Sequence, residues 1–126
     1  MLRPMIPEHI RTFLHATTKS VWALDLLVLM KNAPDRRWTI VQLNDRLRAS
    51  TSLVEELIAG FCRQGLVVAE GGGTYRYAPA NSETQALADQ LARIYAERPM
   101  AVIKEIMSAP NEKIHSFVDA FRLKKD

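Results

Sequence analysis

Between Thr39 and Tyr77 two helical patterns follow one another, broken by the run Ala49-Ser50-Thr51-Ser52, and lead into two β-prone runs around three consecutive glycines. That order constrains the whole chain, because everything before and after it must pack around a helix, a turn, a helix and a hairpin. Thr39 and Gln42 have the spacing of a capping box, in which each side chain satisfies a free amide of a helix's first turn, so a helix is expected from about Ile40. Val41, Leu43 and Leu47 are its expected apolar positions, with Asn44, Asp45, Arg46 and Arg48 left polar. The hydroxyl run then interrupts the pattern, since short hydroxyl side chains compete for backbone hydrogen bonds and favour caps. Ser52 with Glu55 is read as a second box, and Leu53, Val54, Leu57, Ile58 and Phe61 form the stripe of the helix it opens. Gly65 suits the left-handed conformation that ends such a helix. Leu66 to Ala69 and Thr74 to Ala78 then read as two short strands turned by Gly71, Gly72 and Gly73.

A chain of 126 residues has room for one ordinary domain, and 48% hydrophobic with 25% charged residues is the balance of a globular protein. The formal charge of +3 suits a nucleic-acid partner without requiring one. Cys62 is the sole cysteine, which excludes an intramolecular disulfide and a thiolate zinc cluster; a reducing cytoplasm is the expected location. The first 19 residues lack a signal-peptide core, and the apolar run Val21 to Met30 contains Asp25 and is too short to cross a bilayer, so no membrane segment is expected.

In chain order, Pro7 and Glu8 suit the start of a helix whose small apolar face is Ile10, Phe13 and Leu14. His9 and His15 are too far apart to share a face, and surface or packing roles are expected for both. Thr18 or Ser20 is the expected cap of the next helix, Val21 to Met30, which is apolar nearly all round and reads as the central buried element. Asp25 inside it is expected on the one wet face, with an arginine partner as the alternative. Pro34 closes this helix. Beyond the hairpin, Ser82 with Gln85 is read as a cap for a helix carrying Leu87, Leu91, Ile94 and Tyr95, which stops near Arg98 and Pro99. A second helix carries Val102, Ile103, Ile106 and Met107, and a third follows Asn111 with Ile114, Phe117, Val118 and Phe121. The apolar faces of these last helices call for burial under the domain or in a homodimer interface.

Leu57, Phe61, Gly65, Leu66 and Val67, in LIAGFCRQGLV, resemble the end of a recognition helix running into the first wing strand of winged helix-turn-helix proteins. Bacterial transcription regulators of the MarR type share this arrangement, and the resemblance covers about Ser20 to Pro79. It implies a mainly α fold with a small β-hairpin wing over 20–79, the winged helix-turn-helix domain; beside it residues 1–19 read as an N-terminal helical arm that packs on another element or on a second subunit, and 80–126 as a C-terminal helical extension for packing or dimerisation. It further implies a short strand before the first motif helix, anchored by an apolar residue, the role expected of Trp38.

The expected function is that of a transcriptional regulator on double-stranded DNA. Arg36, Arg37, Arg46 and Arg48 are the candidates for phosphate contact, since arginine presents a fork of donors to anionic oxygens. Thr51 and Ser52 would open the recognition helix, Arg63 would touch the backbone beyond it, and Arg76 would act on the wing. Glu55 and Glu56 on the outward face and the uncharged tip argue the other way, and a non-catalytic protein-interaction module is the alternative. No enzyme is expected: His9, His15 and His115 are dispersed, Cys62 reads as a packing residue, and Gly71 to Gly73 lack the lysine and context of a phosphate loop. No cofactor is implied, and no polar group selects a small-molecule effector.

Overall fold

The computed structural model describes residues 6–108, which form six helices and one two-stranded antiparallel hairpin. Helix α1 spans Glu8–Thr17 and α2 Val21–Lys31; α3 spans Ile40–Leu47 and α4 Thr51–Arg63. The strands are β1, Val67–Glu70, and β2, Thr74–Tyr77, and the chain continues through α5, Ser82–Glu97, and α6, Pro99–Ser108. The helix expected after Asn111, with Ile114, Phe117, Val118 and Phe121, lies outside the described residues.

The caps set where each helix starts. Ser20, not Thr18, opens α2 by accepting from the Ala23 amide, while Thr18 is buried and its hydroxyl donates to the Leu14 carbonyl. The capping box of α3 is complete, with the Gln42 amide donating to Thr39 Oγ1 and the Thr39 amide to Gln42 Oε1. Two caps differ from the expectation by one or two residues. Ser50 rather than Ser52 caps α4, accepting from the Leu53 amide at 3.1 Å, and Asn81 rather than Ser82 caps α5, accepting from Thr84 at 2.8 Å. The cap is the residue that keeps an extended backbone immediately before the first helical residue, and Ser50 and Asn81 have that backbone.

Helix α2 is the central element: Ala23, Leu24, Leu26, Leu27 and Met30 are all buried along its length. Burying a side chain of this size contributes about 1.5–3 kcal/mol. Asp25 is half-buried and accepts a 2.8 Å hydrogen bond from the Tyr95 hydroxyl, so its partner is a phenol on α5 and neither water alone nor an arginine. Burial, and after it this bond, pushes the Tyr95 phenol up to about 12. One continuous hydrophobic cluster joins Ile6, Ile10 and Leu14 to Leu24, Leu43, Phe61, Leu91 and Val102. The N-terminal segment, expected as an arm that packs on another element or on a second subunit, packs on α5 and α6 and joins this cluster. Val41 departs from its expected inward role at 61% exposed, whereas Leu43 is buried as expected, flanked by half-buried Ile40 and Leu47.

Gly65 lies between α4 and β1 at φ +75°, as its position at a helix end requires. The strands pair as Val67 with Tyr77 and Val68 with Arg76, Ala69 with Tyr75 and Glu70 with Thr74. Val67 and Tyr77 thus face the core, while Val68, Glu70, Thr74 and Arg76 share the opposite face. Trp38 adds a third, one-residue strand through reciprocal 2.8 Å bonds with Tyr75. Among the described residues no single helix is long and apolar enough to cross a membrane.

Candidate nucleic-acid interface

Three elements meet where the α2–α3 loop runs past the hairpin, and period-2 alternation decides which side chains gather there. Trp38 pairs with Tyr75 on the core-facing side of the ladder and is 1% exposed, so it is an anchor and offers no free ring for stacking. Its neighbour Arg37 must then project to the other face, the one that carries Glu70 and Arg76. Continuing the antiparallel register from Trp38 and Tyr75 sets Arg37 beside Arg76. Like charges in that relation repel, and the Glu70 carboxylate lies between them. Arg37 Nε donates to Glu70 Oε1 at 3.1 Å and Arg76 Nε donates to Glu70 Oε2 at 3.1 Å, with Arg76 Nη2 in an ion pair 3.0 Å from the same oxygen. Hydrogen bonds from Arg76 and then Arg37 hold the Glu70 carboxyl below its ordinary range.

Two more arginines gather on the indole. The Arg36 guanidinium carbon lies 3.8 Å from the Trp38 ring centroid and that of Arg46 lies at 5.4 Å, both within the reach of a cation–π contact. Four of the expected phosphate contacts, Arg36, Arg37, Arg46 and Arg76, are thus collected around one tryptophan and one glutamate.

The other four are placed differently. Arg48 ends α3 in the left-handed conformation at φ 61° and is exposed at the turn before α4. Its amide donates to the Asn44 carbonyl, and the Asn44 side chain accepts from the Ala49 amide, so the turn is fixed by bonds on both sides of Arg48. Thr51 and Ser52 are exposed in the first turn of α4, on the outward face with Glu55 and Glu56. Val54, Ile58 and Phe61 face inward, with Leu57 packed at the edge of the core. Arg63 is exposed at the far end of α4, about 18 Å from Thr51 at 1.5 Å per residue, and so stands apart from the cluster. Neighbouring Gln64 is turned back, donating to the Ala16 carbonyl at 2.9 Å.

Sequence reasoning missed the bridging role of Glu70. The signal was present in the hairpin register, since Glu70 opposite Thr74 places it diagonally next to Arg76 on one face.

Elsewhere the titratable groups act structurally. Cys62 is half-buried against the core, and burial pushes its thiol up despite the opposing charge of Arg63. His15 and Arg11 on α1 both meet Glu105 of α6, at 2.8 and 3.2 Å, and His9 contacts Gln90 on α5. Among the described residues no group of three His, Cys, Asp or Glu is arranged to hold a metal ion. A surface hollow of about 320 Å³ on α5 is lined by Ala86, Asp89, Gln90, Arg93 and Ile94 and lies on a different element from the arginine cluster.

Comparison with known proteins returned no matching family, no matching curated protein and no matching solved structure.

Proposed function

We propose that this chain is a cytoplasmic DNA-binding transcriptional regulator of the winged helix-turn-helix type, in which α3, the Arg48 turn and α4 form the motif and the hairpin serves as wing. The observation that carries the reading is two pairs of arginines brought together beside the motif from a loop, a helix and a strand, Arg36 and Arg46 on the Trp38 ring and Arg37 and Arg76 on Glu70. Arginines converging from several elements match a backbone of closely spaced phosphates, which takes up guanidinium groups as forks. Arg48 lies three residues before Thr51, so the phosphate-contacting patch leads along the chain into the exposed first turn of α4. In this reading α4 enters the major groove by that turn, with Thr51 and Ser52 nearest the bases and the arginines holding the backbone on either side. The regulator acts as a homodimer, for which the exposed Met100 and Met107 of α6 offer an apolar surface.

The test is binding to sheared genomic DNA and to labelled duplexes across a salt series. Combined alanine substitution of Arg36, Arg37 and Arg76 is expected to weaken binding to all sequences alike and to lower the salt slope by about two phosphate contacts. Unchanged binding by that variant would remove this patch from the interface. A second reading, a protein-docking module on the same fold, is favoured by the exposed pair Glu55 and Glu56 on the outward face of α4. Changing both to lysine separates the two: a DNA binder keeps or tightens its grip, and a docking module loses its partner.

A further inference from the structure

We infer that Arg37 and Arg76 form a ready-made oxyanion site and that Glu70 occupies it in the free protein as a stand-in for a phosphate, which displaces the Glu70 carboxylate on binding. The identification of that phosphate as one of the DNA backbone rests on the function proposed above.

Trp38 and Tyr75 exchange two backbone bonds, which fixes Arg37 and Arg76 side by side on the outer face. Neither backbone can move away from the other without breaking the pairing that anchors the buried Trp38. Two guanidinium groups held in that relation require an anion between them, and three guanidinium nitrogens lie 3.0–3.1 Å from the two oxygens of Glu70. A phosphate likewise presents a pair of anionic oxygens that accept from the same guanidinium donors. Glu70 is also placed to leave. It is the last residue of β1, immediately before Gly71, and the three glycines of the turn meet no neighbouring atom at their β positions. Gly72 and Gly73 both have φ near +75°, and the hydrogen bonds that hold the Glu70 carboxylate come from the two arginines.

Electrostatics then gives the sign. While Glu70 bridges the pair, the outer face of the hairpin presents one net positive charge from these three residues; with the carboxylate neutralised it presents two. A phosphate arriving at the bridged site must break two charge-assisted hydrogen bonds and the ion pairs with them to reach the guanidinium groups, whereas at a site with a neutral amide it competes only with a weaker acceptor. Glu70 therefore lowers the affinity of the free protein for phosphate and makes occupation of the site an exchange.

The experiment uses Glu70→Gln and the double variant Arg37→Ala/Glu70→Gln in the full chain, with thermal unfolding to confirm that each folds. For duplex DNA near physiological salt, Glu70→Gln is expected to bind several-fold tighter than the wild type, with a salt slope steeper by about one phosphate contact, near 0.9. The double variant is expected to lose that gain. Wild-type binding with no gain, or a loss, in Glu70→Gln would overturn the stand-in role while leaving the DNA reading intact. If neither protein binds duplex DNA, the DNA reading falls and the oxyanion site is decided separately by inorganic phosphate. Phosphate at constant ionic strength should then raise the melting temperature of Glu70→Gln more than chloride does, and should not do so for the double variant. Equal response of the two variants to phosphate would overturn the site.

Discussion

Replacing Trp38 by alanine tests whether the arginine patch depends on a buried ring. The indole is 1% exposed, is fixed by two backbone bonds to Tyr75 and lies beneath the guanidinium groups of Arg36 and Arg46. Truncating a buried aromatic of this size costs about 3–5 kcal/mol, from lost transfer energy and from the cavity left behind. Loss of the two cation–π contacts adds about 0.5–1 kcal/mol each at exposed arginines. At about 4 °C per kcal/mol for a chain of this length, the truncation alone predicts a fall of about 12–20 °C in the melting temperature. Trp38→Phe provides the internal control. Its ring keeps much of the packing and both arginine contacts, and it removes the indole N–H, which is buried without a hydrogen-bond partner in the protein. Relief of such an orphaned donor is worth about 1–3 kcal/mol and offsets part of the lost volume, so this variant should stay within about 1.5 kcal/mol of the wild type. Circular dichroism melts and urea titrations of the three proteins measure both steps. A Trp38→Ala protein that melts within about 2 °C of the wild type would refute the anchoring argument. Equal damage by alanine and phenylalanine would refute the account of why the ring matters.

Gly65→Ala should destabilise the chain by about 1–2 kcal/mol in the same melts, because φ +75° is unfavourable for a residue with a side chain and the new methyl would lie 3.1 Å from Ala80 Cβ. Acid should loosen the link between α1 and α6. Burial pushes the Glu105 carboxyl upward, but hydrogen bonds from His15 and Arg11 more than offset this and hold it below its ordinary value of 4.5. A depressed carboxyl contributes stability that is fully present above about pH 4.5 and is lost as pH falls through the lower folded value. Glu105→Gln should therefore be less stable than the wild type at neutral pH, with the gap closing below pH 4.5; a gap independent of pH would contradict it.

The parts of the fold that were legible in the sequence are those where a local rule acts alone. The Thr39 and Gln42 box, the left-handed Gly65 and the glycine-tipped hairpin need no distant partner to be recognised, and each is found in its expected place. The outward face of α4 was legible for the same reason, since a 3.6-residue period with three buried positions leaves Thr51, Ser52, Glu55 and Glu56 in solvent. Where several local solutions compete, tertiary context chooses. Ser50 and Ser52 both satisfy the cap pattern, and the length of the turn fixed by Asn44 and Arg48 selects Ser50. Val41 looks as apolar as Leu43, but a helix of eight residues has one buried stripe and Val41 falls off it. The candidate site was half legible. Residue type named the arginines, whereas the carboxylate that bridges two of them and the indole that carries two others emerge only from strand pairing between residues more than thirty positions apart.

The core that joins Ile6, Ile10 and Leu14 to α2, α4, α5 and Val102 makes folding a collective property of the described chain. Separating the first 19 residues, the motif between 20 and 79, and the helices beyond would leave each piece with an apolar face and no partner. Helix α2 alone would lose contact with elements that lie before and after it in sequence. Unfolding should therefore proceed as one transition, and the arginines, although they come from a loop, a helix and a strand near the middle of the chain, keep their places only while α1, α5 and α6 stay packed in that shared core.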